Sequence, residues 1–387
     1  MIGSVQAIAK GGAGVVRVAD KTVFIPGVIA GETVEFSLAG QRRGTWQGRL
    51  LRVLEPSPQR VEPPCRHYGE CGGCNLQHMS YEEQLRVKTE ILRGNVRKFA
   101  GAAAEPAADI EILASPPWRY RSKVEFQLRA GTAGFFARES HRVVAIAGCR
   151  LLPQSVEDFF LAQRASAAGI ESGQLQVVSN GGDLAARLET AGGARAWPGS
   201  EPAVRFDIGG HAYRFAPEHF VQANLFQLAS MLGLLGAVLE RERPDRAADL
   251  FCGTGFFTLP LAARCREVTA MESAAVNVAG LRANLEENRV GNVAVIVADV
   301  LRAILPASDL VVVDPPRGGL SARLIAALAA CGAPTIVYFS CDSATFARDL
   351  RLFAGHGFNL AECRLIDNFP HSDHFEIFSV LKKNRSA

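Results

Sequence analysis

Five short apolar runs, separated by helical stretches, constrain the fold of this chain more than any other feature. They are Ala248–Phe251, Val268–Met271, Val293–Val297, Leu310–Val313 and Thr335–Phe339. A strand with apolar side chains on both sides is buried on both faces, which is typical of a parallel sheet covered by helices. We therefore predict a doubly wound α/β domain over residues 213–387.

The first part of the chain has a different hydrophobic pattern. Short alternating segments at Val15–Val18, Thr22–Ile25, Thr33–Leu38 and Gln47–Val53 are separated by glycines. This pattern predicts a small OB-like β-barrel over residues 1–55. Because such barrels often bind RNA through one sheet face, RNA contact is a hypothesis for this region.

Between these regions, residues 56–212 are predicted to form a mixed α+β domain. It begins with a proline-rich linker, followed by a helix from Tyr81 to about Phe99. An antiparallel meander then follows at Lys123–Ala130, Gly134–Phe136 and Val143–Ala147, and the weaker segments Leu175–Val178 and Ala185–Glu189 are expected to continue its sheet. The chain is thus expected to be multidomain.

Length and composition limit the number of domains and the classes of protein that the chain can belong to. With 387 residues and 48% hydrophobic residues, the chain can bury the cores of two or three domains. A formal net charge of +3 is too small to argue for nucleic-acid binding. The sequence contains neither a long apolar run nor a signal peptide, so we expect a cytoplasmic protein without a membrane span, and a monomer by default.

Three cysteines crowd into ten residues, as Cys65-x5-Cys71-x2-Cys74. In a cytoplasmic chain this spacing indicates a metal site rather than disulfides. Zinc and an iron-sulfur cluster both fit it. A fourth ligand must come from elsewhere, and Cys149 is the candidate within the same predicted domain.

The segment Asp249–Leu261 indicates a nucleotide pocket, because it combines a strand, a glycine turn and a helix. Gly253 and Gly255 would let the backbone approach a ligand. Glu272 ends the second strand, where a carboxylate can accept both ribose hydroxyls, and Asp299 ends the third, near an adenine edge. Dinucleotide enzymes use a similar turn, so an NAD-dependent oxidoreductase is an alternative at this point.

The fourth strand ends in Asp314-Pro-Pro-Arg317. The two prolines fix the backbone and should direct Asp314 and Arg317 into the crevice at the carboxyl edge of the sheet. Such a turn is typical of methyltransferases that act on bases. It has no use in an NAD-dependent enzyme, and the third glycine of the dinucleotide fingerprint is missing as well.

The fifth strand ends at Cys341, which places a thiol at the same edge. Carbon 5 of uracil becomes nucleophilic once a thiolate has added to carbon 6, so Cys341 is a candidate covalent catalyst. A base must later remove the proton from carbon 5. The segment 368–376 offers four candidates for this base: His371, Asp373, His374 and Glu376.

Several of these motifs together resemble the RNA uracil-5 methyltransferase family. The resemblance rests on Asp249–Leu261, Asp314–Arg317, Ser340-Cys341-Asp342 and Asn368–Glu376. It extends to Phe24–Gly27 with Gly31-Glu32, which resemble the TRAM barrel of that family, and to Phe220–Asn224, which resembles its cofactor-gripping entry helix. Two departures are Phe256, where the family often has asparagine, and Asp342-Ser343 in place of Asn-Pro.

The resemblance implies a class I methyltransferase domain that uses S-adenosyl-methionine to methylate carbon 5 of a uridine in RNA. It implies Cys341 as nucleophile and Glu376 as base, with cofactor and target base surrounded by Gln222, Phe251, Gly253, Glu272, Asp299 and Asp314. It also favours a [4Fe-4S] cluster on Cys65, Cys71, Cys74 and Cys149 over zinc, and 23S ribosomal RNA over the T-loop of tRNA. A non-catalytic RNA-binding factor is a further alternative, against which the presence of both Cys341 and Glu376 argues.

Overall fold

The computed structural model of the chain describes residues 1–42, 44–100, 110–167 and 169–384. In these residues the strands form a closed five-stranded barrel and sheets of six, two and eight strands. Across the same residues, we find no helix with the length and apolar composition needed to cross a membrane.

The N-terminal barrel is confirmed. Its strands pair in the order β1-β2-β3-β5-β4 and comprise β1 Ile2–Ile8, β2 Ala13–Val18, β3 Lys21–Pro26, β4 Thr33–Arg42 and β5 Thr45–Glu55. The sequence did not predict β1, because only Val5 and Ile8 of that strand are buried and its alternation is weak. Pairing of β1 with both β2 and β4 closes the barrel.

The six-stranded sheet confirms the predicted meander and its continuation. All of its pairings are antiparallel, in the order β12-β11-β10-β7-β8-β9. The strands are β7 Lys123–Arg129, β8 Thr132–Phe136, β9 Val143–Ala145, β10 Ser172–Ser179, β11 Leu184–Thr190 and β12 Gly193–Ala196. The helix α2 (Gln154–Ala167) covers this sheet, and Phe160 stacks on Phe126 with ring centroids 4.1 Å apart.

The eight-stranded sheet contains all five predicted parallel strands. They are β15 Arg246–Leu250, β16 Glu267–Glu272, β17 Val293–Val297, β18 Leu310–Val313 and β19 Thr335–Ser340. Beyond β19 the sheet continues with β21 (Glu376–Lys383), which runs antiparallel both to β19 and to the next strand, β20 (Phe358–Ile366).

Helices cover both faces of this sheet, as the apolar runs predicted. One face packs against α3 (Leu228–Glu242), α4 (Thr258–Ala262) and α5 (Ala275–Glu287). The other face packs against α6 (Ala322–Ala330), α7 (Ser343–Gly355) and α1 (Tyr81–Phe99). The helix α1 has the predicted bounds, and its N-cap Ser80 accepts a hydrogen bond from the Glu83 amide.

The predicted boundary between residues 212 and 213 needs correction. It falls inside β14 (His211–Phe215), which forms a hairpin with β13 (Val204–Ile208) and packs against α5. In addition, β6 (Glu111–Leu113) pairs in parallel with β20 at the edge of the eight-stranded sheet. The pairing of β6 with β20 joins segments far apart in sequence, so local patterns could not reveal that this part of 56–212 belongs to the C-terminal core.

Candidate active site

One edge of the eight-stranded sheet collects the predicted catalytic groups. The carboxyl ends of the parallel strands meet there, and β21, being antiparallel, begins there. The ladder between β19 and β21 pairs Ser340 with Ile377. Continued by one residue, this register places Cys341 opposite Glu376.

Cys341 is half-buried and lies in a negative environment. Burial, followed by the charges of Glu376 and Asp314, raises the pKa of the Cys341 thiol to about 12, and Arg317 opposes this rise. In the ligand-free protein the group is therefore a thiol at neutral pH. A positive charge placed beside it would favour the thiolate.

Glu376 and Asp314 act on each other. Burial and the charge of Asp314 raise the pKa of Glu376 well above its usual range, and burial raises the pKa of Asp314 to about 7. Gln222 donates a hydrogen bond from Nε2 to Asp314 Oδ2 at 2.9 Å, which favours the ionised form of that carboxyl. The site can thus hold a proton on this carboxylate pair near neutral pH.

The residues predicted to bind the cofactor differ in how firmly the structure holds them. Glu272 is held firmly, because its Oε2 accepts from the Gly253 amide at 3.0 Å and its Oε1 accepts from the amides of Ser273 and Ala274 at 2.8 Å each. Gly253 has a φ of 54° and Phe251 one of 63°, so the turn after β15 is left-handed at both residues. Asp299 is 49% exposed and faces Arg302 at 3.6 Å.

Asp249 is a buried acidic residue of this edge that sequence reasoning did not single out as a site residue. Thr258 donates from Oγ1 to Asp249 Oδ2 at 2.5 Å, and Oδ1 has no hydrogen-bond partner among the described residues. Burial, followed by the charges of Asp314 and Glu272, raises the pKa of Asp249 to about 7. An acidic residue inside an otherwise apolar strand was the available signal.

Two of the alternative bases have other partners. The ring of His371 stacks on Trp118, with centroids 3.8 Å apart, and accepts from Gln84 Nε2 at Nδ1. Burial lowers the pKa of His371 to about 4. Asp373 binds the amide of Gly11 and the side chain of Asn75. Of the four candidates, Glu376 is the one whose charge acts on Cys341.

A second group of cysteines lies away from this edge. Cys65, Cys71, Cys74 and Cys149 line one cavity of about 940 Å³, together with Arg121. Burial and neighbouring thiolates raise the pKa of Cys74 to about 12 and that of Cys149 to about 11. In the part of the chain that the structure describes, no three His, Cys, Asp or Glu side chains are arranged so that they could hold a metal ion.

Known proteins resemble the chain over nearly its whole length. A family model described as tRNA (Uracil-5-)-methyltransferase matches residues 205–302 and 306–384. Two relatives named 23S rRNA (uracil(1939)-C(5))-methyltransferase RlmD come from Pseudomonas entomophila and Nitrosococcus oceani. The first is 31% identical, over 98% of this chain and 92% of its own length. The second is 32% identical, over 99% and 96%.

The chain belongs to the RNA (uracil-5-)-methyltransferase family. The predicted enzyme class is thereby confirmed, and the NAD-dependent alternative is set aside. The solved structure of Pyrococcus abyssi tRNA (uracil-54, C5)-methyltransferase in complex with S-adenosyl-L-homocysteine has the same fold, with a TM-score of 0.77 at 22% identity. The match covers 98% of this chain and 99% of that one.

In this methyltransferase the two departures from the family pattern have clear places. Asp342 is the N-cap of α7, because its carboxylate accepts from the amides of Ala344 and Thr345 at 3.0 Å each. It also forms an ion pair with Lys10 of the barrel. Phe256 is buried in the apolar core, where its ring contacts those of Tyr213 and Phe257.

Proposed function

We propose that this methyltransferase transfers a methyl group from S-adenosyl-methionine to carbon 5 of a uridine in 23S ribosomal RNA, through a covalent bond between Cys341 and carbon 6. The observation that carries the proposal is the placement of Cys341, Glu376 and Asp314 at one strand edge, where the charges of both carboxylates act on the thiol and that of Asp314 also acts on Glu376. The choice of ribosomal RNA rests on relatives that cover nearly the whole chain and are named for uracil 1939 of 23S rRNA.

In the proposed mechanism the Cys341 thiol first loses its proton to solvent, and the resulting thiolate attacks carbon 6 of the flipped uracil, which makes carbon 5 an enolate carbon. When bound, S-adenosyl-methionine would supply the methyl group as a sulfonium, whose positive charge would also favour the thiolate form of Cys341. Carbon 5 takes the methyl, and S-adenosyl-homocysteine is the leaving group. Glu376 in its ionised form then takes the proton from carbon 5, the bond between sulfur and carbon 6 breaks, and the ring double bond returns.

The cofactor would lie along the same edge. Glu272 is fixed by three backbone amides at the end of β16, which suits a carboxylate that accepts ribose hydroxyls. Gly253 and Phe251 belong to the turn that the adenosyl group would follow, and Asp299 would face the adenine. Gln222 orients Asp314 by a hydrogen bond, so these two side chains would contact the cofactor or the target base as a pair.

We further propose that Cys65, Cys71, Cys74 and Cys149 hold a [4Fe-4S] cluster. Four thiols around one cavity, with the positive charge of Arg121 beside them, suit a cluster that needs deprotonated thiolates. When bound, the cluster would supply cross-links among distant segments of the chain. The barrel, as a TRAM domain, would contact the RNA, and the enzyme would act as a cytoplasmic monomer.

The test is a covalent trap. The protein is incubated with labelled S-adenosyl-methionine and RNA containing 5-fluorouridine, since fluorine cannot leave as a proton. We expect a denaturation-stable adduct with a 23S rRNA fragment that contains the position equivalent to 1939 in the relatives. A tRNA transcript is the comparison substrate, and preferential adduct formation with it would contradict the ribosomal assignment.

Two cysteine variants complete the test. Cys341→Ala should abolish the adduct, whereas Cys331→Ala, which changes another half-buried cysteine of the same domain, should leave it intact. An adduct that persists in Cys341→Ala would refute the assigned nucleophile. RNA binding without any adduct in the unmodified protein would favour the non-catalytic alternative.

A further inference from the structure

The turn between β1 and β2 leaves the barrel and contacts both loops that carry the proposed catalytic groups. We call residues 9–12 the barrel turn. Lys10 pairs with Asp342, the residue after Cys341. The Gly11 amide donates to Asp373 Oδ2 at 2.6 Å, and Asp373 lies three residues before Glu376. One short turn thus contacts the segment that follows Cys341, which we call the nucleophile loop, and the segment 367–375 that precedes Glu376, which we call the base loop.

Asp373 is also bound from a second side, by the residue that follows Cys74. The Asp373 amide donates to Asn75 Oδ1 at 3.0 Å, and Asn75 Nδ2 donates back to Asp373 Oδ1 at 2.7 Å. The same Nδ2 donates to the Gly11 carbonyl at 3.1 Å. In addition, the amides of Asn75 and Leu76 donate to the His371 carbonyl at 3.0 Å each.

These contacts are closely packed and leave little room for adjustment. Asp373 is 6% exposed, so its hydrogen bonds are shielded from water. Gly12 has a φ of +74°, and a Cβ at that position would lie 2.9 Å from Asn75 Nδ2. Arg138 also donates to the Gly11 carbonyl, at 2.9 Å. Removing the Asp373 carboxylate would leave the Gly11 amide without its acceptor and the Asn75 amide group with only the Gly11 carbonyl, which is costly in a buried site.

We propose that Asp373 is a positioning residue for proton removal, which fixes the loop leading to Glu376 by binding Gly11 and Asn75. The proposal rests on the proposed function, which assigns Glu376 as the base. A base must approach the proton within hydrogen-bonding reach, and a displacement of about 1 Å can lower a rate about 100-fold. Glu376 is the first residue of β21 and pairs with Ile366 of β20, so its backbone is held on the strand side, and the loop of residues 367–375 fixes it on the other side through the Asp373 contacts.

Attachment of the nucleophile should depend much less on Asp373. Cys341 follows β19, which is paired on both sides, with β18 and β21. The link from the barrel turn to the nucleophile loop is the ion pair of Lys10 with Asp342, and Lys10 is 46% exposed. Exposed ion pairs contribute little. The proposal therefore predicts a defect in release of the product rather than in formation of the adduct.

The experiment compares two RNA substrates with the full-length protein. With 5-fluorouridine RNA, Asp373→Ala should form the adduct at a rate within about threefold of the unmodified protein. With ordinary RNA, its turnover should fall by about 10-fold to 100-fold, and the fraction of protein trapped as a covalent RNA complex at steady state should rise. Asp373→Asn, which keeps an acceptor for Asn75 but not for Gly11, should show a smaller change in the same direction.

Two controls separate positioning from stability. Asp349→Ala removes another buried carboxylate, which binds Tyr338 and the Leu320 amide, and it should slow attachment and turnover equally. The double variant Asn75→Ala with Asp373→Ala should turn over no more slowly than Asp373→Ala alone, because the two residues act through one contact.

The possible results are distinct. Trapping on ordinary RNA with normal attachment supports the proposal. Unchanged turnover in Asp373→Ala overturns it, and so does an equal slowing of attachment and turnover in both Asp373 variants. If the unmodified protein formed no adduct with 5-fluorouridine RNA, the proposed function itself would fail, which is a different outcome.

Discussion

The chain has two proposed sites built on cysteine, and the groups that surround the sulfur differ between them. At the sheet edge a single thiol, Cys341, faces the carboxylates of Asp314 and Glu376. In the cavity of the central region, four thiols face one another and Arg121. Burial is the largest cause of the raised cysteine pKa values in both places.

The difference shows that neighbours, and not the thiol itself, decide the chemistry. A lone thiol beside carboxylates gains its charge only when a cation arrives, which suits a nucleophile that reacts with substrate and sulfonium both present. Several half-buried thiols that face one another need a permanent positive centre to hold their thiolates together, which suits a structural cluster. The thiolate form of cysteine would thus exist transiently at the sheet edge and permanently in the cavity.

The largest expected effect separates the two sites completely. Cys341→Ala should reduce RNA methylation to the background of the assay, because no other group can add to carbon 6. Its iron content and unfolding midpoint should equal those of the unmodified protein. Methyl transfer is measured with labelled S-adenosyl-methionine, and iron is measured after anaerobic purification. Loss of iron in this variant would show that the two sites are not independent.

The second-largest effect is expected from Glu376, the proposed base opposite Cys341. Glu376→Gln should lower turnover on ordinary RNA by about 10² to 10⁴, the range that a general base contributes. Attachment to 5-fluorouridine RNA should be retained, since glutamine also removes a negative charge that opposes the thiolate. Single-turnover kinetics with both RNAs measure the two steps. A variant that attaches more slowly but releases normally would contradict the assignment of Glu376.

A smaller effect is expected when one of the cysteines that line the cavity is replaced. Cys149→Ala should lower bound iron and the free energy of unfolding by about 3 kcal/mol, because loss of a metal ligand removes binding energy that stabilises the fold. Urea unfolding under anaerobic conditions can be followed by tryptophan fluorescence, since Trp118 and Trp197 lie in this region. Cys331→Ala, outside the cavity, is the matched control. Equal iron in both variants would remove Cys149 from the ligand set.

The two sites also differ in how far the sequence could predict them. The catalytic edge was predictable because parallel strands bring their carboxyl ends together, so Glu272, Asp314 and Cys341 could be placed by counting strands. Glu376 could be chosen from its neighbours only by resemblance. The register of β19 and β21 now supplies a reason, since its last pair is Ser340 with Ile377 and the next residues in each direction are Cys341 and Glu376.

What the sequence could not predict depends on contacts between distant segments. The helix α1 has the expected bounds, yet it packs against α7 in the C-terminal core, where Asn95 donates to Ser343 at 2.7 Å. Likewise, Asp373 was a candidate base by composition, but Gly11 and Asn75 occupy its carboxylate. A local pattern carries no information on such partners.

The smallest expected effect concerns the ionisation of Cys341 itself. In the ligand-free protein, its alkylation by iodoacetamide should accelerate about tenfold per pH unit between about pH 7 and 9, because the thiolate fraction grows in that proportion below the pKa. Asp314 raises this pKa. Asp314→Asn should therefore lower it and increase the alkylation rate at fixed pH by roughly threefold to tenfold.

Mass spectrometry of the modified peptide measures this rate separately from that of other cysteines. With iron bound, Cys74 should remain unmodified over the same pH range, because a ligated thiolate is not free to react. An alkylation rate of Cys341 that is independent of pH would mean that the thiolate already exists without cofactor. A slower rate in Asp314→Asn would mean that Asp314 draws the proton from the thiol instead of opposing its loss, and the contrast between the two cysteine sites would then rest on geometry alone.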